Sequence, residues 1–154
     1  MLSSMIDKSK ATYTYKQNQN LFLAGSQPLG VFILQSGLVK IEVNAKDGHT
    51  HILRIIGPNG IIGYRSLFAN EAYHANAVAM EDVVLWFIPK AELLQLLTEH
   101  PELSIQFMEA ICKDLRIADE KWMDQVNKGA LQRVAESIIF LQDHFKDQHW
   151  TRKD

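Results

Sequence analysis

The chain has 154 residues, 47 % of them apolar, enough to bury one real core and outside the range of disordered or fibrous chains. Its 16 Lys and Arg against 18 Asp and Glu leave a formal charge of −2, without the basic excess that gripping a nucleic-acid backbone demands. Cys112 is the only cysteine, which excludes an intrachain disulfide framework and a cluster held by four thiolates of one chain, and a reducing, cytoplasmic setting fits.

Met1 to Asn20 is polar, with no apolar stretch long enough for a signal peptide, and the longest apolar run, Val83 to Ile88, is too short to span a bilayer. From Tyr13 to Pro89 short, partly alternating apolar segments recur: Leu21 to Leu23, Val31 to Leu34, Leu38 to Val43, Ile52 to Ile56, Ala75 to Met80 and Val83 to Ile88. Their pattern predicts strands. Between them stand turn formers, Gly25-Ser26-Gln27-Pro28, Ser36-Gly37, Lys46-Asp47-Gly48 and Gly57-Pro58-Asn59-Gly60, which supply positive or fixed φ. Many short strands at this spacing predict an antiparallel sandwich or barrel.

After Pro89 the period becomes helical, first over Ala91 to Thr98 and then, beyond His100-Pro101, up to about Val126. The second helix would be roughly 38 Å long at 1.5 Å per residue, more than so small a domain can cover. Met108, Ile111, Leu115, Ala118, Trp122 and Gln125 follow alternating steps of three and four, the seam of a two-stranded coiled coil. The first half of this helix is expected to dock on its own sheet and the later half to pair with a second copy. Asn127-Lys128-Gly129 then breaks the helix and forms a hinge, and a further amphipathic helix follows from Ala130 to about Phe145, with Leu131, Val134, Ile138 and Leu141 on one face.

The order of motifs is Gly25 after an apolar strand, Val31 to Ile41 around Ser36-Gly37, Asp47-Gly48, Gly57-Pro58-Asn59-Gly60-Ile61-Ile62-Gly63, and Ala79-Met80-Glu81-Asp82. It resembles the cyclic-nucleotide-binding jelly roll of the CRP/FNR family of bacterial transcription regulators. The likeness runs on through Asp119-Glu120-Lys121 and Leu131-Gln132-Arg133-Val134-Ala135, which resemble the family's dimerisation helix and its successor. The resemblance implies a double-stranded β-helix (jelly roll) of eight strands over residues 13–100, a dimerisation helix over 101–127, and a helix over 129–147 leading to a DNA-binding helix-turn-helix. Trp150-Thr151-Arg152-Lys153-Asp154 looks like the approach to that domain, so the sequence reads as a shortened or proteolysed regulator, with a naturally short protein as the alternative. The implied protein is a homodimeric allosteric sensor, not an enzyme, touching DNA only through the missing domain and touching no membrane. A structural dimerisation module with a degenerate pocket is the alternative.

In members that bind cyclic AMP, a Gly-Glu pair holds the ribose, an Arg-Ser pair clamps the phosphate, and a Thr-Ser pair on the long helix meets the base. Here those positions read Gly63-Tyr64, Tyr73-His74 and Ala118-Asp119. Each missing charge-assisted hydrogen bond is worth roughly 1.5 to 3 kcal/mol, so tight cyclic AMP binding is not expected. Gly63, Tyr64, Arg65, Ser66, Tyr73, His74 and Asn76, with the N–H groups of a helix beginning near Gly63, are the candidate pocket for another polar or anionic effector.

His49-Thr50-His51 invites comparison with cupin metalloenzymes, but Arg54, Ile55 and Gly63 stand where a carboxylate and a third histidine would be needed. No metal site is assigned, and the histidines read as a hairpin surface feature. Haem, ligated by His74 or Cys112, is a separate possibility; an iron–sulfur cluster is ruled out by the cysteine count. The effector itself remains unidentified at this level.

Overall fold

The computed structural model describes residues 11–45, 48–127 and 129–144. The turn residues Lys46 and Asp47, the hinge residue Lys128, the segment from Phe145 to Asp154, and the side chains of Gln125 and Leu141 lie outside that description.

Eight strands are formed: β1 (Ala11–Tyr15), β2 (Asn20–Phe22), β3 (Gly30–Ser36), β4 (Val39–Asn44), β5 (Thr50–Ile56), β6 (Ile61–Ile62), β7 (Asn76–Ala79) and β8 (Val83–Pro89). They make two four-stranded sheets, in the orders β1-β8-β3-β6 and β2-β7-β4-β5, with every pairing antiparallel. First pairs with last, second with seventh, and so inward, which is the nesting of a jelly roll. β1 and β6 were not among the segments predicted from apolar runs. β1, Ala-Thr-Tyr-Thr-Tyr, is an exposed edge strand with little apolar signal, and β6 has only two residues.

The core is made by alternation. Val39 and Ile41 of β4 pack inward with Ile56 of β5 and with Ala77 and Ala79 of β7, against Leu34, Ile62 and Leu85 of the other sheet. The last three are 0 % exposed, and burying such a side chain stabilises the fold by roughly 1.5 to 3 kcal/mol. On the opposite face of β4, Lys40 Nζ lies 2.7 Å from Glu42 Oε2. That oxygen is shut off from solvent and makes no aligned hydrogen bond, so the contact is coulombic. Gly30 shows why small size matters in the roll: a Cβ there would come 2.1 Å from the Ile88 carbonyl oxygen. The Gly57 to Gly60 turn places Pro58 at its second position and Asn59, at φ 66°, at its third, closed by the Gly60 N–H donating to Gly57 O at 3.0 Å.

The helices are α1 (Tyr64–Ala69), α2 (Lys90–Glu99), α3 (Pro101–Asn127) and α4 (Ala130–His144). The junction of α2 and α3 follows from one residue. Proline disfavours the helical region for the residue before it, so His100 sits at φ −126°, ψ 82°, and Pro101 opens α3, where its lack of an N–H costs nothing. α3 then runs uninterrupted for 27 residues to Asn127, and α4 begins at Ala130, with Gly129 in neither helix.

The chain divides into two compact units between Ser104 and Ile105. In the second, Met108, Leu115 and Trp122 are 56 %, 59 % and 67 % exposed, Ile111 and Ala118 are half-buried, and Leu131, Val134 and Ile138 of α4 are exposed.

Candidate effector site

The site begins at a backbone constraint. Gly63 ends β6 in the left-handed region, φ 91°, and turns the chain directly into α1. A Cβ at Gly63 would lie 3.1 Å from the Tyr73 hydroxyl, so the bend and the close approach of the tyrosine both call for glycine. α1 has six residues, less than two full turns, so the row of N–H groups at its start is short.

Tyr64, the first residue of α1, is buried, only 5 % exposed. Arg65 is exposed and folds back over it: Nε donates to the Tyr64 hydroxyl at 3.3 Å, and the guanidinium carbon is 6.0 Å from the ring centroid. A second guanidinium, that of Arg54, lies 5.9 Å from the same centroid. Both are near the outer limit of cation–π attraction, where each contributes about 0.5 kcal/mol. Ser66 is buried, and its carbonyl accepts the Glu71 N–H at 3.0 Å, helping to close α1.

Tyr73 is likewise buried, stacked on Phe22 of β2 with centroids 3.6 Å apart and planes 7° from parallel. Burial pushes its phenol pKa up, so the hydroxyl is a proton donor throughout the physiological range. Its backbone is pinned at both ends, the Gly25 N–H donating to Tyr73 O at 2.7 Å and the Tyr73 N–H donating to Ser26 O at 3.0 Å. Asn76 completes this clasp by accepting the Ala24 N–H at Oδ1, 2.8 Å away. His74 points elsewhere: its Nε2 is 2.8 Å from Glu71 Oε2 in a pair whose side chains are 78 % and 58 % exposed. Of the residues singled out in the sequence, Gly63, Tyr64 and Arg65 are therefore gathered with Tyr73 at hand, whereas Asn76 holds a turn and His74 holds Glu71.

Arg54 was missed as a site residue. In the run His51-Ile52-Leu53-Arg54-Ile55-Ile56 apolar residues occupy both parities, so alternation does not single out a buried face. The register does. Arg54 stands opposite Ile41, which packs on the core, and Leu53 is the extra residue of a bulge that lets Ile52 pair with Glu42 on the other face. The signal available was a charge two residues from the core residue Ile56.

The rest of the candidate chemistry disperses. His51 stands opposite Val43 and is exposed, and Thr50 Oγ1 donates to Asn44 Oδ1 at 3.1 Å across the same hairpin. Cys112 is exposed on α3. Among the described residues no three His, Cys, Asp or Glu side chains gather in a way that could hold a metal ion, and no helix is long and apolar enough to cross a membrane.

A sequence model of the cyclic nucleotide-binding domain matches residues 13–100. The chain belongs to the cyclic nucleotide-binding domain family. Its relatives within the family are of the CRP/FNR type that the motif order pointed to. The CRP-like cAMP-activated global transcriptional regulator of Mycobacterium tuberculosis is 25 % identical over 134 residues, covering 87 % of this chain and 60 % of that protein. The anaerobic regulatory protein of Bacillus subtilis is 29 % identical over 147 residues, covering 94 % and 60 %. The crystal structure of the Thermus thermophilus catabolite activator protein superposes with a TM-score of 0.67 at 25 % identity, covering 76 % of this chain and 55 % of that one. The chain thus spans about 60 % of the length of the curated relatives it matches.

Proposed function

We propose that this chain is the effector-sensing and dimerising part of a CRP/FNR-type transcription regulator. Residues 13–100 form the sensory roll, 101–127 the pairing helix, and 129–147 a helix leading toward a DNA-binding helix-turn-helix. The role is regulatory rather than catalytic, in keeping with relatives that are regulators. The observation that carries the reading is the apolar stripe on α3. Met108, Leu115 and Trp122, spaced by seven, are each more than half exposed, and Ile111 and Ala118 fill the alternate positions. A two-stranded seam with a second copy of α3 would cover that stripe.

The mechanism is a population shift. An effector in the roll, at Gly63, Tyr64, Arg65, Ser66 and Tyr73 with Arg54, favours one pairing of the α3 helices. The hinge at Asn127 to Gly129 passes the difference to two recognition helices that must match the spacing of DNA half-sites. The effector moves this equilibrium only by its difference in affinity for the two states. Cyclic AMP does not bind tightly, since neither its ribose hydroxyl nor its phosphate meets the charged partner it needs.

Sedimentation equilibrium tests the dimer. The chain is expected to associate, and Leu115→Glu, which would bury an unpaired carboxylate, is expected to weaken association by at least about a hundredfold. A monomeric parent, or a dimer indifferent to Leu115→Glu, defeats the proposal. One observation favours a second reading, a structural dimerisation module: the buried Tyr64 and the Tyr73–Phe22 stack are side chains that could plug the roll themselves. Ligand titrations separate the two.

A further inference from the structure

We propose that the Tyr73 hydroxyl is the hydrogen-bond donor that reads the effector, and that the effector turns an oxygen acceptor toward it beside the turn at Gly63. The assignment deepens the sensory reading above and rests on it.

Tyr73 is 7 % exposed, and among the described residues its hydroxyl makes no hydrogen bond. It is not sealed in either: among the described residues Glu42 Oε2 is the one buried side-chain atom that is both shut off from solvent and without such a bond. The phenol therefore ends on a gap that a water-sized group can enter. One flank of that gap is kept clear by a missing side chain, since a Cβ at Gly63 would stand 3.1 Å from the hydroxyl oxygen. The ring behind the hydroxyl is held in place. It is stacked on Phe22 with centroids 3.6 Å apart, and its backbone is fixed by the Gly25 N–H donating to Tyr73 O at 2.7 Å and by the Tyr73 N–H donating to Ser26 O at 3.0 Å.

Packing alone favours phenylalanine at this position. A hydroxyl carried into the interior without a protein partner gives up part of its hydration for nothing in return, and the stack on Phe22 needs only the ring. Burial pushes the phenol pKa up, so the group is a neutral donor across the physiological range. What it lacks is an acceptor. Solvent can reach the gap, so a ligand gains by entering it only where it returns an equivalent hydrogen bond, and an apolar group returns none. The O–H proton is met by a carbonyl, carboxylate or phosphoryl oxygen, and the two charged kinds give the shorter and stronger bond.

The test uses the 154-residue chain at constant ionic strength, titrated separately with acetamide, acetate and inorganic phosphate. The readouts are the Tyr73 ring resonances and thermal unfolding, which a ligand of the native state must raise. At least one probe is expected to shift the Tyr73 resonances saturably. Its affinity is expected to fall about three- to tenfold in Tyr73→Phe, which removes the hydroxyl and keeps the stacked ring. Tyr73→Phe by itself is expected to melt within about 1 °C of the parent or above it, because no internal hydrogen bond is lost. Tyr13→Phe, on the exposed strand β1, is expected to leave the affinity unchanged. A response to acetamide alone assigns a carbonyl ligand, to acetate alone a carboxylate, and to phosphate alone a phosphoryl group; a response to several supports the donor role for all of them. No saturable response to any, equal affinity in Tyr73→Phe, or a larger fall in its melting temperature overturns the assignment. Cyclic AMP binding of equal affinity in Tyr73→Phe overturns it while leaving the sensory reading in place, whereas an intact dimer that answers no ligand overturns both.

Discussion

The roll and the helices after it treat their large apolar residues in opposite ways. Leu34, Ile62 and Leu85 of the roll are wholly buried, while Leu115, Trp122 and Leu131 of the helical unit are 59 %, 67 % and 87 % exposed. Both regions obey the same rule, that apolar area leaves water where it can. The roll buries its core residues within one chain; the helical unit leaves a run of large apolar residues exposed along α3 and α4. A single substitution of leucine therefore has a different meaning in each part, and under the proposed function the exposed face of α3 serves assembly rather than stability.

The sharpest way to break that contrast is to make the same change on both sides. Leu85→Ala is expected to destabilise the chain by about 2 to 5 kcal/mol, through lost transfer energy and the cavity left behind, as read by denaturant unfolding. Leu115→Ala, measured at concentrations where the chain is monomeric, is expected to cost less than about 0.5 kcal/mol. Equal costs would erase the distinction.

A smaller effect probes the backbone of the site. Gly63→Ala forces a side chain into φ 91° with the Tyr73 hydroxyl 3.1 Å away, and a loss of about 1 to 2 kcal/mol is expected by thermal or denaturant unfolding, with no change in self-association. A loss of dimer instead would tie the site to α3 more directly than proposed.

The smallest effect is a pH dependence confined to the roll. The Lys16 ammonium, 2.6 Å from Asp82 Oδ2, and the Gln17 N–H hold the Asp82 carboxyl below its ordinary value. A depressed carboxylate contributes stability above its unfolded pKa of about 3.9 and loses it as pH falls through the lower folded value. Lys16→Met is expected to be slightly less stable than the parent near neutrality, with the difference shrinking as pH falls through that window, as read by denaturant unfolding at a series of pH values. A difference that persists below that window would mean that Lys16 does something besides pairing with Asp82.

How far the sequence announced all this depended on how local each cause was. The strands around Val31 to Leu34 and Val83 to Ile88 were legible because apolar runs bounded by turn residues leave few alternatives, and Pro101 marked a helix boundary by its own covalent geometry. β1 and β6 were not, because the first is exposed and the second has two residues whose pairing with Phe32 and Ile33 is decided from a distance. In the site, Gly63, Tyr64 and Arg65 are neighbours in sequence and could be grouped by inspection. Arg54 joins them only through the register of β4 with β5, and the departures of His74 toward Glu71 and of Asn76 toward Ala24 turn on side-chain choices that no spacing encodes.

The bulge at Leu53 reaches beyond the site. β5 closes its sheet on one side, so it is a strand whose outer row of amide and carbonyl groups has no neighbour in the sheet, and it carries Ile52 and Leu53 more than half exposed. Such an edge is an invitation to a misfolded or stray chain to add itself on and start an aggregate. An extra residue in the middle bends and twists the edge and interrupts its ladder, so that no straight strand can be laid along its whole length. The same irregularity that turns Ile52 to the outer face thus helps keep copies of this protein from sticking together along the wrong surface.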